Sequence, residues 1–242
     1  MISFKSTIAL ILPFLVLGST LTSFAQAPIH YDPFFVMPGE KGEKSIVAAL
    51  RSGNIENFSK TTDAILMSKF SPGKKTEVGA HLTLGFFNDS AKSFSTLSVG
   101  SKYRLGENSA ATLTLALPAK DVKDPGISLG FMNTSLMSNQ VQINQRISVG
   151  GLKGYTSNNS TLVLDALIES IIAINSKWAF VLDINAVSTT EDISNRLAID
   201  LKPSIDWLIA DGNLINIACS IGIAGSNKAE TTSILFSLLR RM

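Results

Sequence analysis

The chain has 242 residues, a formal net charge of +2, 45% hydrophobic and 17% charged residues, and one cysteine, Cys219. Near-neutrality gives no electrostatic footprint for nucleic acid, and a lone cysteine excludes an intramolecular disulfide framework and any cysteine-based metal site. The charge content lies below the ~25% of ordinary soluble domains. Yet beyond the first 25 residues no uncharged run reaches the ~18 residues of a spanning helix.

The first segment, "MISFKSTIALILPFLVLGSTLTSFAQA", has an early cation at Lys5, an apolar stretch from Ile8 to Gly18 and then small residues. That order is a secretory signal peptide of residues 1–25, cut after Ala25 and exported through the Sec pathway. Residues 26–43 read as a flexible mature N-terminus, and 44–242 as one domain.

From there the apolar residues recur with period two, the signature of strands with one apolar and one polar face. Twelve segments are expected, near 44–51, 61–70, 75–87, 94–105, 110–118, 126–137, 140–152, 161–174, 177–187, 194–209, 214–224 and 231–241. In "TEVGAHLTLGFF", Val78, Ala80, Leu82, Leu84 and Phe86 oppose Glu77, His81 and Thr83. In "VQINQRISV", Val141, Ile143, Ile147 and Val149 oppose Gln142, Asn144 and Arg146. "TLVLDALIESIIAI" also fits an amphipathic helix, with Asp165 and Glu169 four apart. A strand is favoured, because a tight "NSK" turn and another alternating run follow. Val181 breaks the alternation of "WAFVLDINA", and Pro203 cannot donate to a ladder, so a local bulge is expected there.

Connections alternate in length. "SPGK", "GENS", "SN", "NSK" and "ADGN" are short, while "SGNIENFSKT", "PAKDVKDPG", "KGYTSNNS", "STTEDI" and "GSNKAET" are longer and polar. Exported, apolar, without spanning helices, and built from an even number of strands near ten residues long: this describes an all-β, antiparallel transmembrane β-barrel of about 12 strands. The short turns and both termini would be periplasmic, and the barrel would sit in the outer membrane of a Gram-negative bacterium. Tyr103, Trp178 and Trp207 lie on apolar faces beside short turns, where an interfacial aromatic girdle belongs; Phe86 and Phe87 lie near the other rim.

The polar parity collects Glu77, His81, Lys102, Arg104, Arg146, Asp165, Glu169, Asp183, Arg196, Asp200, Lys202 and Asp206. Facing a lumen, they form either a narrow polar pore for small solutes or an ion-paired plug that stiffens the barrel. Catalysis is not expected. His30 and His81 are the only histidines, and His81 has no serine beside it. No cluster of ligands suits a metal, no glycine-rich stretch has phosphate-loop spacing, and no cofactor is implied. A soluble periplasmic ligand-binding β-protein, with the apolar parity turned inward, is the alternative outside the membrane.

The stretches "LALP" at 115–118, "LKPSIDWLIADGNLINIACSIGIAG" at 201–225 and "FSLLRRM" at 236–242 carry a resemblance. From about Leu97 onward the chain resembles the family of outer-membrane proteins named after the MetA pathway of phenol degradation. The resemblance implies an outer-membrane barrel taking up small hydrophobic or aromatic compounds. The family closes on an aromatic residue, the signal read by the barrel-assembly machinery; this chain ends Arg240-Arg241-Met242.

Overall fold

The computed structural model describes residues 38–55, 58–87, 95–117, 125–151, 162–189, 197–210, 212–225 and 232–242. The signal-peptide segment, His30, Arg196 and most of the longer connections lie outside the described residues.

Twelve strands follow one another: β1 (Lys44–Ile55), β2 (Phe58–Gly73), β3 (Thr76–Phe87), β4 (Ser95–Arg104), β5 (Ser109–Leu117), β6 (Gly126–Leu136), β7 (Val141–Gly151), β8 (Leu162–Ala173), β9 (Trp178–Thr189), β10 (Ala198–Ala210), β11 (Asn213–Gly225) and β12 (Thr232–Arg241). Each pairs antiparallel with its neighbours in sequence, and β1 pairs with β12, so the sheet closes with no free edge. Closure is what lets a sheet present apolar side chains outward, because every backbone group finds its partner around the ring.

Period two fixes the faces. Leu50, Leu66, Leu129, Ile217, Ile234 and Phe236 project outward and are exposed, while Ser45, Lys69, Glu77, Asn144 and Asp206 on the other parity are buried. An apolar outer surface and a polar interior is the reverse of a soluble β-protein, and it excludes the inward-turned alternative. The segment 162–173 is β8, a strand; Asp165 pairs in register with Ser148 and Val187, and Glu169 with Asn144 and Asp183. Helical spacing of two carboxylates is outweighed here by two neighbouring strands that complete the ladder.

Two expectations are corrected. "SGNIENFSKT" is not a loop: β1 runs to Ile55 and β2 starts at Phe58, leaving residues 56 and 57 between them. Polar composition reads as a loop, but the ladder continues through Arg51↔Asp63, Ser52↔Thr62 and Gly53↔Thr61. Nor does Pro203 sit at a bulge. The β10–β11 register is the same at Leu201↔Ile221 and Ser204↔Ala218, and the shift falls at Ile199/Asp200, where β11 contributes the extra Ile223. A proline removes one donor; it forces no inserted residue.

The short turns are closed locally. Ile174 N–H donates to the Trp178 carbonyl at 2.9 Å, and Asn175 Oδ1 accepts from Lys177 and Trp178 N–H at 2.8 and 3.0 Å. Ser138 Oγ likewise accepts from Gln140 and Val141 N–H. At the β10–β11 turn Gly212 has φ +76°, and a Cβ there would stand 2.7 Å from the Arg241 carbonyl oxygen. Gly212→Ala is therefore expected to cost about 1–2 kcal/mol from left-handed strain alone. The thermal midpoint of the folded barrel in detergent reads that loss; an unchanged midpoint would show that the turn relaxes freely.

Candidate functional site

The interior divides along the barrel axis. At the short-turn end, apolar side chains meet inside the ring in three groups: Val47, Leu214 and Leu239 with Met67; Ala110 and Met132 with Leu167; and Ile171, Ala179 and Val181. The irregular Val181 of the sequence pattern thus belongs to an inner cluster and is fully buried. Nearer the other end the lining is charged and partly exposed: the Lys202 side chain is 37% exposed and that of Arg51 33%.

Glu77 is the hub of the short-turn end. It is 1% exposed, and its carboxylate takes Lys69 from β2 and Lys102 from β4, each at 2.7 Å. Its Oε2 also accepts the Gly39 N–H at 3.3 Å, and Arg104 donates to the Pro38 carbonyl. The first described residues are thereby tied into the barrel mouth. Burial of three charges costs several kcal/mol per ion, which only close pairing offsets. A small cavity of about 60 Å³, bounded by Glu77, Gly79, Gly100, Ser101, Lys102, Thr112, Thr114 and Arg146, lies beside the hub.

A second network crosses three strands, β6, β7 and β8. Asn144 Nδ2 donates to Glu169 at 2.5 Å, while Asn144 Oδ1 accepts from Thr134 Oγ1 at 2.8 Å and Gln142 Nε2 at 2.9 Å. Asp183, in register with Glu169, pairs with Lys202 at 2.8 Å. Asn216 Nδ2 donates to the buried Asp206 at 2.6 Å. Arg146 and Asp165 pair at 3.0 Å, and Arg51 Nε donates to Asp63 at 2.9 Å. Asp200, half-buried, shares the inner parity of Lys202 and Asp206.

His81 is half-buried, and its Nε2 stands 3.0 Å from Thr83 Oγ1. Among the described residues no three His, Cys, Asp or Glu side chains are grouped to hold a metal ion. Trp178 and Trp207 are cross-strand neighbours on the outer face and stack, with ring centroids 5.3 Å apart and an interplanar angle of 3°. Tyr103 is 52% exposed beside the β4–β5 turn. The side chains of Phe86 and Phe87 lie outside the described residues.

Sequence reasoning passed over Arg51, Asp63 and Lys69, and placed Asn144 and Asn216 on the polar parity without counting them among the candidates. Their signal was present: Arg51 and Lys69 share the parity of neighbouring buried residues, and Asp63 lies across the hairpin from Arg51. It could be read only once that hairpin's register was known.

The closed ring, the apolar outer face and the ion-paired interior define the chain's class: an antiparallel transmembrane β-barrel of the outer-membrane kind. No family model matches the chain, and curated proteins give no significant match. Solved structures do match in fold. The chain is similar to an outer membrane channel from Pseudomonas putida F1, with 11% identity, a TM-score of 0.64, and coverage of 88% of this chain and 100% of that one. It is also similar to the KdgM porin (6% identity, TM-score 0.58, 81% and 98% covered) and to the NanC porin (9% identity, TM-score 0.57, 81% and 97% covered).

Proposed function

We infer that this protein is a passive channel of the outer membrane of a Gram-negative bacterium, through which small molecules cross within the barrel. The carrying observation is the lining: inside a ring whose outer wall is apolar, charged side chains are kept and some of them stay partly exposed. An interior meant only to stabilise would be filled at lower cost with apolar side chains. The fold likeness to an outer membrane channel and to two porins supports this reading, as does the sequence resemblance over residues 97–242. The lining itself favours small hydrophilic solutes. The leader of residues 1–25 serves Sec export, the barrel-assembly machinery inserts the chain, and outer-membrane lipid covers the apolar face. His81, on the inner parity, is engaged with the Thr83 hydroxyl.

A second reading has its own observation. The Glu77 hub and the three apolar groups narrow the short-turn end, which suits a plugged structural barrel. Planar-bilayer recording separates the two. The channel reading predicts discrete conductance steps from the refolded mature protein in potassium chloride. A folded barrel that inserts and stays silent would establish the plug.

A further inference from the structure

The outer wall is not evenly convex near the short turns. One cross-strand row on its outward parity runs Arg240, Ile46, Ser68, Ala80, Val99, Leu115. The next row, nearer the turns, runs Lys44, Phe70, Val78, Ser101, Leu113. Each row starts on a cation and carries smaller side chains in its middle than at its flanks. Behind that middle, Gly79 and Gly100 face each other in register on the inner parity, so no side chain of theirs props the wall from within. An open trough of about 660 Å³ lies there, lined by residues of both rows and by Met242. A second hollow, of about 420 Å³, follows it toward the middle of the wall, between Ala48, Ala64, Leu66 and Leu82 of β1–β3.

The turn end of the trough is cationic. Lys44, which lines it, and Arg240, the cross-strand partner of Ile46, are both exposed. Lys44 Nζ stands 5.8 Å from the centroid of the Phe70 ring, which holds the ammonium at the edge of the trough. The β2–β3 turn adds exposed Lys74 and Lys75. Of the carboxylates on this side, Glu43 is held by Arg241 and Glu77 lies inside the wall with Lys69 and Lys102; Glu40 is exposed beside Lys41. Short turns face the periplasm in barrels of this kind. The lipid that meets this end is therefore the glycerophospholipid of the periplasmic leaflet.

We propose that the trough is a binding site for one anionic phospholipid of that leaflet. Its phosphate lies against Lys44 and Arg240, and one acyl chain runs along β2 and β3 through both hollows. Ser68 and Ser101 bring hydroxyls to an otherwise apolar wall, one or two rows inside the cations, and the ester oxygens of the glycerol accept from them. Each basic side chain beside an anionic headgroup strengthens binding by about fivefold. The site is independent of whether the lumen conducts or is plugged; it needs only the apolar parity facing lipid.

The test is native mass spectrometry of the full mature protein in detergent, titrated with dioleoyl phosphatidylglycerol or with dioleoyl phosphatidylcholine. One phosphatidylglycerol is expected to be held about tenfold more tightly than phosphatidylcholine. The double variant Lys44→Gln, Arg240→Gln should bring the two lipids within about twofold of each other. Ala80→Phe, which fills the trough and leaves every cation in place, should lose the tightly held lipid. Lys177→Gln, at an exposed cation of the β8–β9 turn, should change nothing. All these positions lie on the outer surface, and heat-modifiable migration checks that each variant folds. Equal retention of the two lipids by the wild type overturns the site. An equal loss in Lys177→Gln and in Lys44→Gln means diffuse attraction to the rim and overturns it too, as does a phosphatidylglycerol held as tightly by Ala80→Phe. A dimer that Ala80→Phe dissociates would make a second copy of the chain the occupant in place of lipid.

Discussion

Glu77→Ala is expected to destabilise the barrel by about 3–5 kcal/mol, the cost of breaking a buried charge pair from one side. Lys69 and Lys102 are 4% and 6% exposed, and both point at the same carboxylate at 2.7 Å. Removing it leaves two buried ammonium groups facing each other, and it also releases the Gly39 N–H. The midpoint of urea unfolding in detergent micelles measures the loss. Glu77→Leu combined with Lys69→Met and Lys102→Met should recover most of it, because an apolar replacement of a whole buried ionic cluster is often neutral or stabilising. A triple variant as unstable as Glu77→Ala would mean that the hub is irreplaceable packing rather than compensated charge.

Ile217→Arg should cost about 2–4 kcal/mol in a bilayer, the penalty for a cation facing lipid near the midplane of a β-barrel. Ile217 sits near the middle of β11, is 54% exposed, and has the outward Phe236 and Ile205 as cross-strand partners. Ser220→Asn, three residues along the same strand and on the inner parity, should change stability by no more than about 0.5 kcal/mol. The contrast is read from folded fractions in urea with phospholipid vesicles present. Equal effects at the two positions would remove the assignment of an outer, lipid-facing parity.

Much of the architecture follows from alternation alone. Ile215, Ile217, Cys219 and Ile221 against Asn216, Ala218 and Ser220 fix a strand and its faces without reference to anything distant. The tight turns follow from Asn175, Ser138 and Gly212, whose backbone or side chains supply the closing geometry locally. What alternation does not encode is register. Period two says that Glu77 and Lys102 lie on the polar side of β3 and β4; it does not say that Lys69 joins them. The extension of β1 and β2 through Ser52 and Thr62 was hidden for the same reason, since a polar run gains its strand conformation from a partner strand. Pro203 misled in the opposite direction: a local rule about donors was extended to register, which the pairing of β10 with β9 holds unchanged through Lys202, Pro203 and Ser204.

The central claim is a closed membrane barrel with its apolar parity outside. Electrophoretic heat-modifiability of the mature protein refolded in detergent tests it most directly. The account predicts that the unboiled sample migrates at a different apparent mass from the boiled one, with β-rich circular dichroism before boiling. Identical migration, from a protein that stays soluble and monomeric without detergent, would contradict it and turn the apolar face back into a core.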